Sequence, residues 1–95
     1  MAIGKVTLLD VLASYTAQPV AVLCRQSWYR GVVKEVGTDY VILEPAWMVE
    51  KPGNLQDARP EAEHPVPGPM VISATAIEQA CQPKWAGCDL RPQRK

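Results

Sequence analysis

The sequence predicts a mainly β protein: a five-stranded, strongly bent barrel that follows one N-terminal α-helix. Residues 19–45 carry this prediction, because they contain three runs rich in Val, Ile, Leu, Trp and Tyr, separated by short polar or glycine-containing breaks. Such runs are typical of an antiparallel three-strand meander. The 95 residues, 47% of them hydrophobic and 21% charged, have the size and composition of one globular unit. We therefore expect a single domain over residues 1–95.

A short helix is predicted over about residues 7–17. Thr7 and Asp10 form a pair that resembles a capping box at its start, and Pro19 ends it. Its apolar residues recur at i, i+3, i+4 and i+7, on one face: Leu8, Val11, Leu12 and Tyr15. A helix of about three turns is not stable alone in water, so we expect it to cover the barrel. A helix that binds a partner is the alternative.

Five strands are predicted, at about residues 20–25, 28–36, 40–49, 70–73 and 77–81. A brief helix is the alternative for the last of them. Gly31 lies in the middle of the second strand, where glycine marks sharp curvature or a close backbone approach. Residues 51–69 hold five of the nine prolines and are expected to form a long loop. Residues 83–95 are expected to form a tail, anchored if anywhere by Trp85 and Leu90.

No catalytic or metal site is predicted. His64, the one histidine, falls in the proline-rich loop, and the chain has no nucleophile elbow, phosphate-binding loop or dinucleotide fingerprint. Glu61 and Glu63 lie in the same loop, where two solvated carboxylates are the simpler interpretation. Three cysteines without a CxxC motif make a poor zinc signature. We therefore expect a protein that is not an enzyme and that uses no metal and no cofactor.

Charge and hydropathy restrict the environment of the protein. Ten basic residues balance ten acidic ones, whereas proteins that coat nucleic acid usually carry a basic excess. No apolar run approaches the roughly 20 residues that cross a bilayer. The first 18 residues do not read as a secretory signal, because Asp10 interrupts their apolar run. We expect a cytoplasmic protein that does not contact membranes.

The order of these elements resembles the Sm-like (LSm) family of small SH3-like barrels. The helix TLLDVLASYTAQ leads straight into PVAVLC, as a helix leads into the first Sm strand. WYRGVVKEVGTDYVILE resembles the first Sm motif, with Gly31 at its bending glycine. MVISATAIEQA resembles the second motif, especially in its Hfq-like bacterial form. The similarity covers about residues 7–46 and 70–82, and it extends to a widespread group of small bacterial and phage Sm-like proteins.

The resemblance implies a homo-oligomeric ring in which the fourth strand of one subunit pairs with the fifth strand of the next. Such pairing would satisfy edge strands that are otherwise exposed. The interface residues would be Met70, Val71, Ile72, Ile77 and Gln79. The function that we expect is a non-enzymatic scaffold or adaptor. The sequence does not identify a ligand. A protein partner that binds the helix, the long loop or the outer strands is one option.

The alternative is an Sm-like ring that binds RNA or another single-stranded nucleic acid. Uridine pockets in the family use Asp and Met-Asn before the third strand and Arg-Gly in the second motif, where this chain reads GTDY and SAT. Only Asp39, and Tyr40 as a stacking platform, are compatible with such a pocket, with Arg25, Arg30 and Lys34 at the periphery. The Lys-His pair of the Hfq-like form is replaced here by Ala74-Thr75, and the loss of those cations removes phosphate neutralisation and base contacts together. The scaffold is therefore favoured.

Overall fold

A computed structural model describes residues 7–54 and 56–90 of the chain. Within those residues it has one α-helix, six β-strands and two short 3-10 helices. In chain order they are α1 (Leu8–Ala13), β1 (Pro19–Cys24), β2 (Ser27–Val36), β3 (Tyr40–Lys51), β4 (Ala62–Val66), β5 (Met70–Ser73), the 3-10 helix η1 (Ala74–Ala76), β6 (Ile77–Cys81) and the 3-10 helix η2 (Lys84–Gly87). The mainly β class is confirmed.

The six strands form one antiparallel sheet that does not close on itself. Its order is β4-β3-β2-β1-β6, and β5 pairs with β3 as well. The prediction of five strands is wrong, because β4 lies inside residues 51–69, which were expected to be a loop. Pro65 belongs to that strand. An edge strand tolerates proline because one of its sides has no ladder to complete, and β4 is such an edge.

Helix α1 begins as predicted but ends early. Thr7 accepts the Asp10 N–H and Asp10 accepts the Thr7 N–H, which completes the capping box. After Ala13 the chain turns, and Ala17 adopts a positive φ of 70°. The Ala17 N–H then donates to the carbonyl of Val33 in β2, at 2.7 Å. The helix therefore ends several residues before Pro19, and the chain between them turns to bond to the sheet.

Strands β4 and β5 together follow the full length of β3 on its side away from β2. The first four residues of β3 pair with β5, and its second half, from Ala46, pairs with β4. Pro67, Gly68 and Pro69 separate the two strands. Proline has no N–H for the ladder, and Gly68 has a φ of +77° that suits glycine. We therefore describe β4 and β5 as one interrupted edge strand.

Gly31 allows β2 and β3 to approach each other closely beside this interruption. It pairs with Ala46, and a Cβ at Gly31 would overlap the carbonyl oxygen of Pro45. Because that atom belongs to the backbone, the contact could be relieved only by moving a strand. The expected close approach at Gly31 is confirmed.

Two hydrophobic clusters lie on opposite faces of the sheet. Alternate residues of a strand point to opposite faces, and in β1 Val20 and Val22 belong to the larger cluster whereas Ala21 belongs to the smaller one. Leu12 of α1, fully buried, covers the larger cluster. The segment around η2 covers the smaller one. The larger cluster consists of Leu12, Val20, Val22, Val33, Val41, Leu43, Ala46, Ile72 and Ile77; the smaller consists of Ala21, Val49, Trp85 and Ala86.

Candidate functional site

Arg30, expected at the periphery of a nucleic-acid site, is fully buried. Its guanidinium binds both carboxylate oxygens of Glu63 in β4, with Nη2 donating to Oε2 at 2.9 Å. Nη1 donates to the carbonyl oxygens of Ala86 and Cys88. The ring of Trp47 lies 3.9 Å from the guanidinium carbon. Arg30 therefore joins three parts of the chain and offers no charge to an external phosphate.

The role of Arg30 could not be read from neighbouring residues. Its carboxylate partner lies 33 residues away, in the stretch that was expected to be a loop. Its carbonyl partners lie in the stretch that was expected to be a tail. An arginine in a strand next to Gly31 gives no local signal of burial, because such a residue lies equally well on a solvated face.

Lys34 and Tyr40 lie at the surface, each beside a carboxylate. Lys34 Nζ is 2.7 Å from Glu44 Oε1, and the hydrogen bond and charge of Glu44 raise the pKa of Lys34. The Tyr40 hydroxyl donates to Glu35 at 2.7 Å, and one side of its ring lies against Gly37. The structure thus brings Glu35, Tyr40 and the adjacent Asp39 together at the turn from β2 to β3.

The charge of this turn is negative. The hydrogen bond to Glu35 raises the pKa of Tyr40, and the charges of Glu35 and Asp39 contribute in the same direction. A phosphate backbone that approached Tyr40 would therefore meet two carboxylates. Backbone neutralisation supplies most of non-specific nucleic-acid affinity, and the local charge here opposes it.

We expect the Tyr40 phenol to titrate above the ordinary tyrosine pKa of 10.0. Because the folded pKa exceeds the unfolded one, the bond to Glu35 stabilises the fold below pH 10 and this contribution is lost as the pH rises through the folded pKa. An ultraviolet absorbance titration measures the pKa of Tyr40. The part of the signal that disappears in the Tyr40→Phe variant belongs to the Tyr40 phenol. Glu35→Gln should lower the pKa of Tyr40, and an unchanged titration would contradict the contact.

Strand β5 has a free edge among the described residues. In an antiparallel ladder, residues bonded to the neighbour alternate with residues whose N–H and C=O groups point the other way. The Ala74 N–H donates to the Asp39 carbonyl at 2.8 Å, in register with the pairing of β5 and β3. Ile72, two residues earlier, therefore bonds to β3. The backbone groups of Val71 and Ser73 point to the free edge.

Strand β6 has a second free edge within the described part of the chain. The Val33 N–H donates to the Gln18 carbonyl at 3.0 Å, in register with β1 and β2. Because bonded residues alternate along a strand, the backbone groups of the odd-numbered residues of β1 point to β6. There Ala21 pairs with Cys81 and Leu23 pairs with Gln79. Ala80, between Gln79 and Cys81, points its backbone groups to the free edge.

The five residues expected at an oligomer interface divide between core and surface. Ile72 and Ile77 are buried in the larger cluster, and Met70 packs against it. Val71 is 63% exposed, the largest value among the exposed large apolar side chains of the described residues. Gln79 is exposed as well. The residue that presents both an apolar side chain and free backbone groups is therefore Val71.

Chemistry elsewhere in the described residues is limited. An open cleft of about 420 Å³ is lined by Gln56 and residues 81–84. Burial raises the pKa of the Cys81 thiol in that cleft, and burial also raises the pKa of Cys24, so both thiols are protonated at neutral pH. Over residues 7–54 and 56–90, no group of His, Cys, Asp and Glu residues could hold a metal ion.

No helix in the described part of the chain combines the length and the apolar character that a membrane crossing requires. No protein-family model, curated protein or solved structure matches the chain. Within residues 7–54 and 56–90, the features that bear on function are the free edges of β5 and β6 and the buried Arg30.

Proposed function

We propose that this chain is the subunit of a closed homo-oligomeric ring of Sm-like barrels, a non-enzymatic cytoplasmic scaffold or adaptor. The observation that carries the proposal is the pair of free edges on β5 and β6. These two strands follow each other in the chain, joined through η1, and each is paired on one side by a strand of the same sheet. As far as residues 7–54 and 56–90 are concerned, each therefore has one side available to a strand of another copy.

The strand order supports an Sm-like relationship. If β4 and β5 are counted as one interrupted strand, the sheet has five members. The interrupted strand, which includes β5, lies at one end of the sheet, and β6 lies at the other. The gap between them is where an SH3-like or Sm-like barrel has its seam. Gly31 at the close approach of β2 and β3 and the capped helix before β1 agree with the motifs that carry the resemblance.

The two edges are different surfaces, so pairing β5 of one copy with β6 of the next is heterologous. A heterologous contact gives a ring if its rotation closes and a filament if it does not. Val71 and Ser73 in β5 have free backbone groups. Pro67 and Pro69, which precede β5 in the chain, have no backbone N–H to donate. The prolines confine strand addition to a short segment, which limits uncontrolled association.

The ligand of the scaffold is open, and a nucleic acid is the less supported choice. Arg30 is bound internally, Lys34 is beside Glu44, and the Tyr40 ring lies among carboxylates. The formal net charge of zero adds no general attraction. We favour a protein partner of the assembled ring.

Ser73→Pro is expected to prevent ring assembly and to leave the subunit folded. The Ser73 N–H points to the free edge, and its φ of −67° matches the fixed φ of proline. Light scattering should show a fall to the monomer mass, with the far-ultraviolet circular dichroism unchanged.

Ser73→Ala is the matched control. Both substitutions remove the contact between the hydroxyls of Ser73 and Thr75, but alanine keeps the N–H. The alanine variant should keep the mass of the natural assembly. A proline variant that also kept that mass would exclude pairing through the β5 edge.

A further inference from the structure

Arg30 connects strand β4 with the residues that follow β6. We call residues 82–88 the latch segment. On one side of the guanidinium, Nε and Nη2 donate to the two carboxylate oxygens of Glu63 in β4. On the other side, Nη1 donates to the backbone carbonyls of Ala86 and Cys88 in the latch segment. Because Arg30 is fully buried, β4 and the latch segment share one buried charge.

Strand β4 is held less firmly than the strands beside it. None of its residues is fully buried, and Val66 packs against the larger cluster while only half-buried. The pair between His64 in β4 and Glu50 in β3 is exposed, and exposed pairs contribute little. Residues 67–69 separate β4 from β5, and the described residues between β3 and β4 form no helix or strand. An element with few buried contacts can open locally while the rest of the fold stays intact.

The latch segment docks on the other three strands of the sheet that lie near it. Trp85 is fully buried in the smaller cluster, and its ring meets that of Trp28 in β2 edge to face, with centroids 6.0 Å apart. Gln82 donates to the carbonyl of Pro19 in β1 at 2.9 Å. These contacts involve β1, β2 and β3, so the latch segment acts on β4 through Arg30.

The shared guanidinium makes the two dockings depend on each other. Because Nη1 faces the latch segment, removal of the segment would open the guanidinium to water. Water screens an ion pair, and the contribution of the contact with Glu63 would fall toward that of an exposed pair. Conversely, departure of β4 would leave a buried charge without its carboxylate beneath the latch segment, which is strongly unfavourable. A coupling of this kind acts equally in both directions.

We propose that residues 82–88 are a latch on β4: while they are docked, β4 is held against β3, and when they leave, β4 opens as a local unit. This inference does not depend on the proposed ring. Opening would bare the backbone groups of β3, from Ala46 to Lys51, that now face β4. Strand β5 would keep its place, because Ile72 anchors it in the larger cluster. The latch segment therefore controls one edge of the sheet.

Hydrogen exchange of the full-length protein, read by mass spectrometry of peptide fragments, tests the latch. Trp85→Leu removes the ring contact with Trp28 and weakens the docking of the latch segment. The exchange rate of the β4 amides should then rise about 5- to 150-fold, the usual range for coupling between two sites, and that of the β5 amides should rise less. A substitution that only destabilises the whole fold accelerates amides that require global unfolding and leaves locally opening amides unchanged. Unchanged exchange in β4, with faster exchange at Ala86 and Cys88, would overturn the latch.

A double-mutant cycle with Glu63→Gln separates coupling from two independent losses. Glu63→Gln alone should accelerate exchange in β4 and also at Ala86 and Cys88 of the latch segment. In the combined variant, the factor for β4 should fall well below the product of the two separate factors, because either substitution already breaks the connection through Arg30. Glu44→Gln combined with Trp85→Leu is the matched control, and its factors should multiply. Factors that also multiply in the Glu63 cycle would overturn the inference.

The outcomes for the latch and for the ring are separate. A monomer in which β4 responds to Trp85→Leu supports the latch and overturns the ring. A ring in which β4 does not respond overturns the latch alone. If Trp85→Leu does not fold, Trp85→Phe retains most of the aromatic area and gives the same comparison with a smaller change in exchange rate.

Discussion

Replacing Glu63 by glutamine is expected to lower the free energy of unfolding by about 3 kcal/mol, at the lower end of the range for breaking a buried ion pair. Arg30 is fully buried and Glu63 is 22% exposed. Glutamine keeps the shape of the side chain and removes its charge, so the buried guanidinium loses the carboxylate that binds it. Urea unfolding followed by circular dichroism measures the difference.

Glu44→Gln is the matched control for this prediction. It makes the same chemical change in the contact with Lys34, where the two side chains are 37% and 58% exposed. Water screens such a pair and long side chains lose entropy in holding it, so exposed pairs contribute little. Equal losses in the two variants would show that Arg30 is not the buried charge that the structure describes.

Leu12→Ala is expected to cost about 2 to 5 kcal/mol, the range for truncating a buried leucine to alanine. Leu12 is completely buried and belongs to the larger cluster. Helix α1 is six residues long, too short to be stable alone in water, so this side chain should decide whether the helix stays on the sheet. Thermal unfolding and helix content give the readout.

Val11→Ala controls for the change in helix propensity on the same helix. Val11 is 39% exposed, and substitutions at such positions usually change stability within about 0.5 kcal/mol. A large loss of stability for Val11→Ala with a small loss for Leu12→Ala would mean that the helix packs on the sheet through the side that carries Val11.

The parts of the fold that the sequence predicts are those with local signals. Thr7 and Asp10 stand three residues apart at the start of the helix, and their capping box forms. The meander from β1 to β3 follows from alternating apolar residues and short breaks, and Gly31 marks the close approach of β2 and β3. Each of these signals lies within a few residues of the feature that it predicts.

The parts that were missed depend on distant residues. Proline-rich composition argued for a loop at 51–69, but Glu63 gains a buried partner in β2, and that contact holds β4 against the sheet. Residues 83–95 were expected to be a tail, anchored if anywhere by Trp85 and Leu90, whereas the segment around Trp85 packs on the sheet. Its partners, Trp28 and Arg30, are more than 50 residues away along the chain, where no periodicity connects them.

The candidate site shows the same division. The sequence placed Asp39 directly before the third strand and Tyr40 at its start, and they lie there, but the negative charge around Tyr40 also depends on Glu35, whose carboxylate accepts the Tyr40 hydrogen bond. The edge strands were expected from the resemblance alone. The direction of their backbone groups required the register of the sheet, which single bonds at Ala74 and Val33 define.

The solution mass of the natural chain tests the central claim, the closed ring, most directly. Light scattering on the full-length protein, repeated over a range of concentrations and checked by native mass spectrometry, compares the assembly with the 10.4 kDa chain. A closed ring predicts one discrete multiple of that mass that stays constant as the protein is diluted over the working range. A mass of one chain at every concentration, or a continuous series of growing assemblies, would contradict it.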